Sequence, residues 1–151
     1  MFRIRFSTPV LTNDEGWQHA GGEFLLDDTR LCFNVDLSHW GMSAYRRQWR
    51  RALERLAEGA PSSAFMTAYR GAGDSVHVMW AIWCNPEGVF VQEHAVVPSD
   101  LEAPFDPDEP YSHVGFRIPA AANSLPIPEW RVDLQHLNAA LRGIRSPDNP
   151  N

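Results

Sequence analysis

No part of this chain restricts its fold more than the stretch from Trp40 to Tyr69. Tyr45, Trp49, Ala52, Leu53 and Leu56 recur at spacings of three and four, which places them on one face of a helix. Arg46, Arg47, Arg50, Arg51 and Glu54 fall largely on the other side. Ser43 has the hydroxyl of an N-cap, Gly59 supplies a C-terminal stop, and Pro61 forbids continuation. Ala64–Tyr69 then reads as a strand that buries alternate side chains. A helix carrying two large aromatics beside such a strand needs a sheet to lie on.

The remaining chain offers that sheet. Phe2, Ile4 and Phe6 alternate with Arg3, Arg5 and Ser7, the pattern of a half-buried strand. A polar loop follows from Thr12 to about His19, and Glu23–Leu26 and Leu31–Val35 form two strands joined across Asp27–Arg30. Val76–Cys84 and Val89–Val97 continue from Ala64–Tyr69 through turns at Gly71–Asp74 and Asn85–Gly88, giving an antiparallel meander. Pro98–Pro110 is an extended acidic loop with too many prolines for a helix or central strand. Tyr111–Ile118 reads as one more strand, and another loop runs through Pro128. Asp133 then caps a final helix with Leu134, Leu137, Leu141 and Ile144 on one stripe. The expected class is α+β: an antiparallel β-meander sheet packed against a long amphipathic helix, with a second C-terminal helix. One domain spans residues 1–145, followed by a flexible tail over 146–151.

A chain of 151 residues can bury a core without disulfides or metal. Its net charge of −6 is unevenly placed: nine Arg balance nine acids up to residue 75, and four Arg face ten acids beyond it. The acidic second half opposes binding to nucleic acid or anionic membrane and favours a basic protein partner. Cys32 and Cys84 lie in apolar runs without metal spacing, which reads as buried, reduced thiols. Met1–Phe6 alternates charged and apolar residues and so lacks the apolar core of a signal peptide. No apolar run approaches the length of a membrane span, so a soluble, cytoplasmic protein is expected.

Catalytic patterns are weak. The six histidines are scattered over different elements without HxH or HExxH spacing. His77 and His94 lie on strands that can be neighbours, and with Glu93 they are the one arrangement that would suit a small hydrolase or transferase. Ser62-Ser63 lacks a nucleophile elbow, and Gly71-Ala72-Gly73 has no helix after it to hold a phosphate. No cofactor or metal is expected. Trp80 and Trp83, three apart on a strand, point to opposite sheet faces. The acidic loop keeps two readings. Asp100, Glu102, Asp106, Asp108 and Glu109 are either a solvated loop or, on proline-stiffened backbone, a surface that steers a basic partner.

An ordered set of residues carries a family likeness. It comprises Trp40, Tyr45, Gln48-Trp49, Ala52-Leu53, Arg55-Leu56, Ser63-Ala64-Phe65-Met66-Thr67 and Tyr69. Trp80, Trp83, Val91-Gln92, Pro110-Tyr111 and Glu129-Trp130 continue it. Over about residues 30–145 the chain thereby resembles the immunity proteins of bacterial contact-dependent growth inhibition systems. It departs from their pattern at Glu93-His94 and at Pro128. The resemblance implies a non-enzymatic cytoplasmic protein that binds and neutralises the C-terminal toxin domain, in many cases a nuclease, of a cognate effector. The matching residues are mainly structural, so the resemblance assigns no site. A His/Glu enzyme and a homodimer or subunit with a merely solubilising loop stand beside it as alternatives.

Overall fold

The computed structural model describes residues 2–115, 117 and 128–145. Strands β1 (Phe2–Phe6), β2 (Leu11–Thr12), β3 (Gln18–Leu26) and β4 (Thr29–Asp36) precede helix α1 (Met42–Ala57). Then come β5 (Ser62–Ala68), β6 (His77–Asn85), β7 (Gly88–Val96), β8 (Glu129–Val132) and helix α2 (Leu134–Arg145). The strands form one eight-stranded sheet in the order β1-β3-β4-β5-β6-β7-β8, with β2 added alongside β3. Every pairing is antiparallel except that of β4 with β5. The class is therefore α+β, a mostly antiparallel sheet with two helices.

Short-range chemistry accounts for most boundaries. The β3–β4 hairpin turns over Asp27-Asp28, with Asp27 in the left-handed region at φ 52°. Gly59, at φ 89°, ends α1: its N–H bonds the Leu56 carbonyl while Ala60 N–H reaches back to Arg55, a Schellman closure. Asp133 caps α2, its Oδ1 accepting from Gln135 N–H at 2.7 Å.

Several expectations need correction. The cap of α1 is Gly41, not Ser43; the Gly41 carbonyl already accepts from Ala44 and Tyr45, so Ser43 lies within the first turn. Residues 111–113 of the expected strand Tyr111–Ile118 instead belong to a 3₁₀ turn, Pro110–His113, opened by Pro110, whose missing N–H is harmless at that position. Phe116 and Ile118 lie outside the described residues, as do the tail 146–151 and the Ile144 side chain. The expected loop from Thr12 to His19 holds Thr12 of β2 and the start of β3, and β8 was not anticipated. Cys32 is exposed rather than buried, because Leu31, Phe33 and Val35 take the inward positions of β4.

The sheet is split between β4 and β5. These strands share a single pair, Asp36 opposite Ala68, and side chains of α1 occupy the edge of β5 that β4 leaves free. Arg55 Nε donates to Ser62 O at 2.9 Å, Gln48 Nε2 to Ala64 O at 2.8 Å, and Trp49 Nε1 to Met66 O at 2.7 Å. Gln48 Oε1 in turn accepts from Met66 N–H at 2.9 Å. The Tyr45 hydroxyl joins both strands, donating to Asp36 O and accepting from Tyr69 N–H. The helix thus supplies the hydrogen bonds that a neighbouring strand would otherwise supply.

The aromatic core bridges the split. Phe24 meets Phe65 edge-on at 5.3 Å, and Trp49 contacts both Phe6 and Phe33. Trp80 faces this core, touching Phe33 and Trp130. Trp83, on the opposite face of β6, is also buried and donates from Nε1 to Gly115 O at 3.0 Å. No described helix is long and apolar enough to cross a membrane.

Candidate partner-binding surfaces

Asp100, Glu102, Asp106, Asp108 and Glu109 are all exposed, and among the described residues none forms a salt bridge. Their backbone is anchored from below by apolar and ring contacts. Phe105 is stacked on His77 at 4.5 Å and touches His113 at 5.0 Å; His77 stacks in turn on Tyr69 at 5.2 Å. Asp106 N–H donates to His113 Nε2, and the Asp106 carboxylate accepts from Asp108 N–H. At the far end the Arg55 guanidinium lies 4.1 Å over the Tyr111 ring. Burial, with the nearby Glu109 carboxylate, pushes the Tyr111 hydroxyl up. Proline at the first position of each 3₁₀ turn, Pro98 and Pro110, stiffens the segment further. The result is a row of solvated carboxylates on backbone that is fixed at both ends.

Beyond it, Arg117 lies 3.6 Å over the Phe90 ring and forks onto Glu129, Nε to Oε2 at 2.8 Å and Nη2 to Oε1 at 2.5 Å. That hydrogen-bonded guanidinium holds the Glu129 carboxyl below its ordinary range. Gln92 Nε2 donates to the same carboxylate, and Gln92 Oε1 accepts from His94 Nε2. These groups satisfy one another and leave no open acid–base pair.

The His77, His94 and Glu93 arrangement does not assemble. His77 is buried beneath Phe105, its Nδ1 accepting from Arg70 N–H at 3.1 Å. Burial, then the charges of Arg70 and His39, push its pKa below the ordinary imidazole value. His94 sits against Trp83 and is also lowered by burial. Glu93, one residue from His94, points to the other face of β7. Among the described residues no three His, Cys, Asp or Glu side chains are grouped to hold a metal ion. Cys84 is half-buried, and burial pushes its thiol up to about 11, which keeps it protonated and unreactive.

A second surface escaped the sequence reading. The turn joining β2 and β3 is closed by Asn13, whose Oδ1 accepts from Glu15 N–H at 3.0 Å and Trp17 N–H at 2.9 Å. Asn13 N–H donates to Trp17 O, and Gly16 takes the left-handed φ of 82° that the tight turn requires. This turn holds Trp17 52% exposed, with Val10 and Leu11 exposed nearby. Beside it lies a groove of about 600 Å³ whose lining includes Glu15, Trp17, Phe33, Asp36, Arg70 and Glu93. The one available signal was an aromatic residue inside an otherwise polar turn, Asn13-Asp14-Glu15-Gly16-Trp17.

Comparison with known proteins follows the same architecture. The family model described as the CdiI N-terminal domain matches residues 35–140, from the end of β4 into α2. A chain of the CdiA-CT/CdiI toxin and immunity complex from Enterobacter cloacae superposes with a TM-score of 0.75 at 20% identity. The alignment covers 94% of this chain and 99% of that one, a likeness of fold. No curated protein matches the chain significantly.

Proposed function

The chain belongs to the CdiI N-terminal domain family, and from that premise we propose that it is an immunity protein. It binds and neutralises the C-terminal toxin domain of a cognate contact-dependent growth inhibition effector, acts in the cytoplasm, and performs no catalysis of its own. The family match carries this reading. It is supported by a fold shared with a chain of a toxin and immunity complex, and by a His/Glu arrangement that does not converge.

The acidic segment gives the reading a mechanism. Five exposed carboxylates without salt-bridge partners among the described residues make a field that attracts a basic surface before contact. A toxin that cleaves nucleic acid needs cationic side chains to hold phosphate, and Asp100, Glu102, Asp106, Asp108 and Glu109 would compete for those side chains. Because the segment is anchored through Phe105 and Tyr111, little ordering is needed on docking.

Calorimetry and stopped-flow mixing with the toxin domain encoded beside this gene test both levels. Tight binding is expected for the unaltered chain. Neutralising Asp106, Asp108 and Glu109 to their amides should slow association about tenfold at low salt and flatten its salt dependence. Unchanged rates in that variant would remove the electrostatic mechanism, whereas failure of the unaltered chain to bind would remove the immunity reading itself.

A further inference from the structure

We propose that the Trp17 hairpin and the groove beside it receive an arginine-bearing segment of the toxin, so that this hairpin is the anchor of the interface. The inference rests on the immunity reading and adds to it a surface and a chemistry. Exposed tryptophan is the first ground. Trp17 is 52% exposed on a turn locked by Asn13, and its hairpin also exposes Leu11 at 44%. A rigid, exposed indole loses little freedom on contact and offers a large area to a partner.

The groove decides which partner chemistry fits. Its charged lining is Glu15, Asp36, Arg70 and Glu93. Asp36 and Arg70 pair with each other, Arg70 Nε to Asp36 Oδ2 at 3.2 Å. Glu15 and Glu93 are exposed and, among the described residues, form no salt bridge. An indole wall with two free carboxylates suits a guanidinium, which stacks its flat face on an aromatic ring while its edge donates to carboxylate oxygens. A lysine ammonium, compact and strongly hydrated, matches the carboxylates but not the ring as well.

Position joins this surface to the acidic segment. Val78 lines the groove, and His77, its neighbour in β6, lies on the opposite face beneath Phe105. Both surfaces therefore open at the same end of β6, where Val76 is 36% exposed. The groove with its hairpin anchors the partner, and the carboxylates of residues 100–109 steer it in.

Equilibrium binding of the full chain to the neighbouring toxin domain tests this, with Trp17→Ala, Trp17→Phe and Glu15→Gln/Glu93→Gln compared to the unaltered protein. Trp17→Ala should weaken binding about thirtyfold or more, the loss expected of an interface anchor, with Trp17→Phe intermediate. The double Gln variant should weaken it about tenfold. Circular dichroism and thermal melts should match the unaltered chain, since all three side chains are exposed. A double-mutant cycle should couple Trp17 to one toxin arginine. Trp17→Ala binding within threefold of the unaltered chain overturns the anchor, and purely additive effects for every toxin arginine overturn the guanidinium. If the unaltered chain itself does not bind, the immunity reading falls first and this inference with it.

Discussion

Gln48 shows how one side chain can stand in for a strand. It is 2% exposed, and a buried amide with no partner would be a liability, yet both its polar atoms are used on β5. Gln48→Leu would keep the volume and leave the Ala64 carbonyl and the Met66 amide buried without that partner. A loss of about 2–4 kcal/mol is expected, read as a lower urea midpoint at unchanged m value. A loss below about 1 kcal/mol would mean that water or a shifted backbone replaces the amide. His77 makes a second residue-level prediction. Its pKa is lowered in the folded chain from the reference value of 6.5, so below that pH the unfolded chain binds the extra proton more readily. Stability from this group is complete above pH 6.5 and is lost as pH falls toward the folded value. His94 acts in the same direction, whereas the lowered carboxylates of Asp36 and Glu129 matter only at more acidic pH. Urea midpoints should fall between pH 7.5 and pH 5.5, and His77→Gln should flatten that slope about twofold while lowering the midpoint at pH 7.5. An equal slope in the variant would show that His77 does not titrate in this window.

At the scale of elements, the segment over residues 98–113 pairs with none of the described strands and is held on the molecule through its side chains. Phe105, between His77 and His113, is one of its apolar anchors, beside Leu101 and Tyr111. Phe105→Ala should cost about 1–2 kcal/mol, less than a fully buried Phe because this ring is half-buried, and should open the segment to proteolysis before the sheet unfolds. Cleavage appearing first in β6 or β7 would contradict that order. The same element marks where sequence reading succeeds. Five carboxylates spaced by prolines cannot be buried or paired into a sheet, so their exposure follows from composition alone. The close of α1 at Gly59 and the meander of β5, β6 and β7 were legible for similar reasons, since local backbone chemistry fixes both. What stayed hidden depends on distant neighbours. Glu129–Val132 is a strand only because β7 offers it an edge, and Leu11–Thr12 only because β3 does. Periodicity put Trp49 on the buried face of α1, but neither its hydrogen bond to β5 nor that of Gln48 leaves a trace in spacing. Trp17 was overlooked because its exposure is set by what fails to cover it.

For the whole molecule, the split sheet raises the question of whether its two sides fold as one unit. Strands β1 to β4 lie on one side and β5 to β8 on the other, joined directly by a single residue pair. Such a seam would normally allow the sides to open separately. Here Trp49 crosses it: the indole contacts Phe6 of β1 and Phe33 of β4, while its Nε1–H bonds Met66 O of β5. Phe2 and Phe24 pack on Phe65 across the same gap. Trp49→Phe keeps a ring in place but removes the hydrogen bond and part of the volume, at a cost of about 2–3 kcal/mol. If the seam is closed by this helix, the slowest-exchanging amides of β3 and of β6 should accelerate together and by similar factors in hydrogen exchange. Acceleration confined to β5–β7 would mean that the first four strands stand independently. A common acceleration would instead make the position of the Trp17 hairpin depend on the same helix that completes the edge of β5. The groove between that hairpin and β5 would then be a product of global folding, with its shape set before any partner arrives.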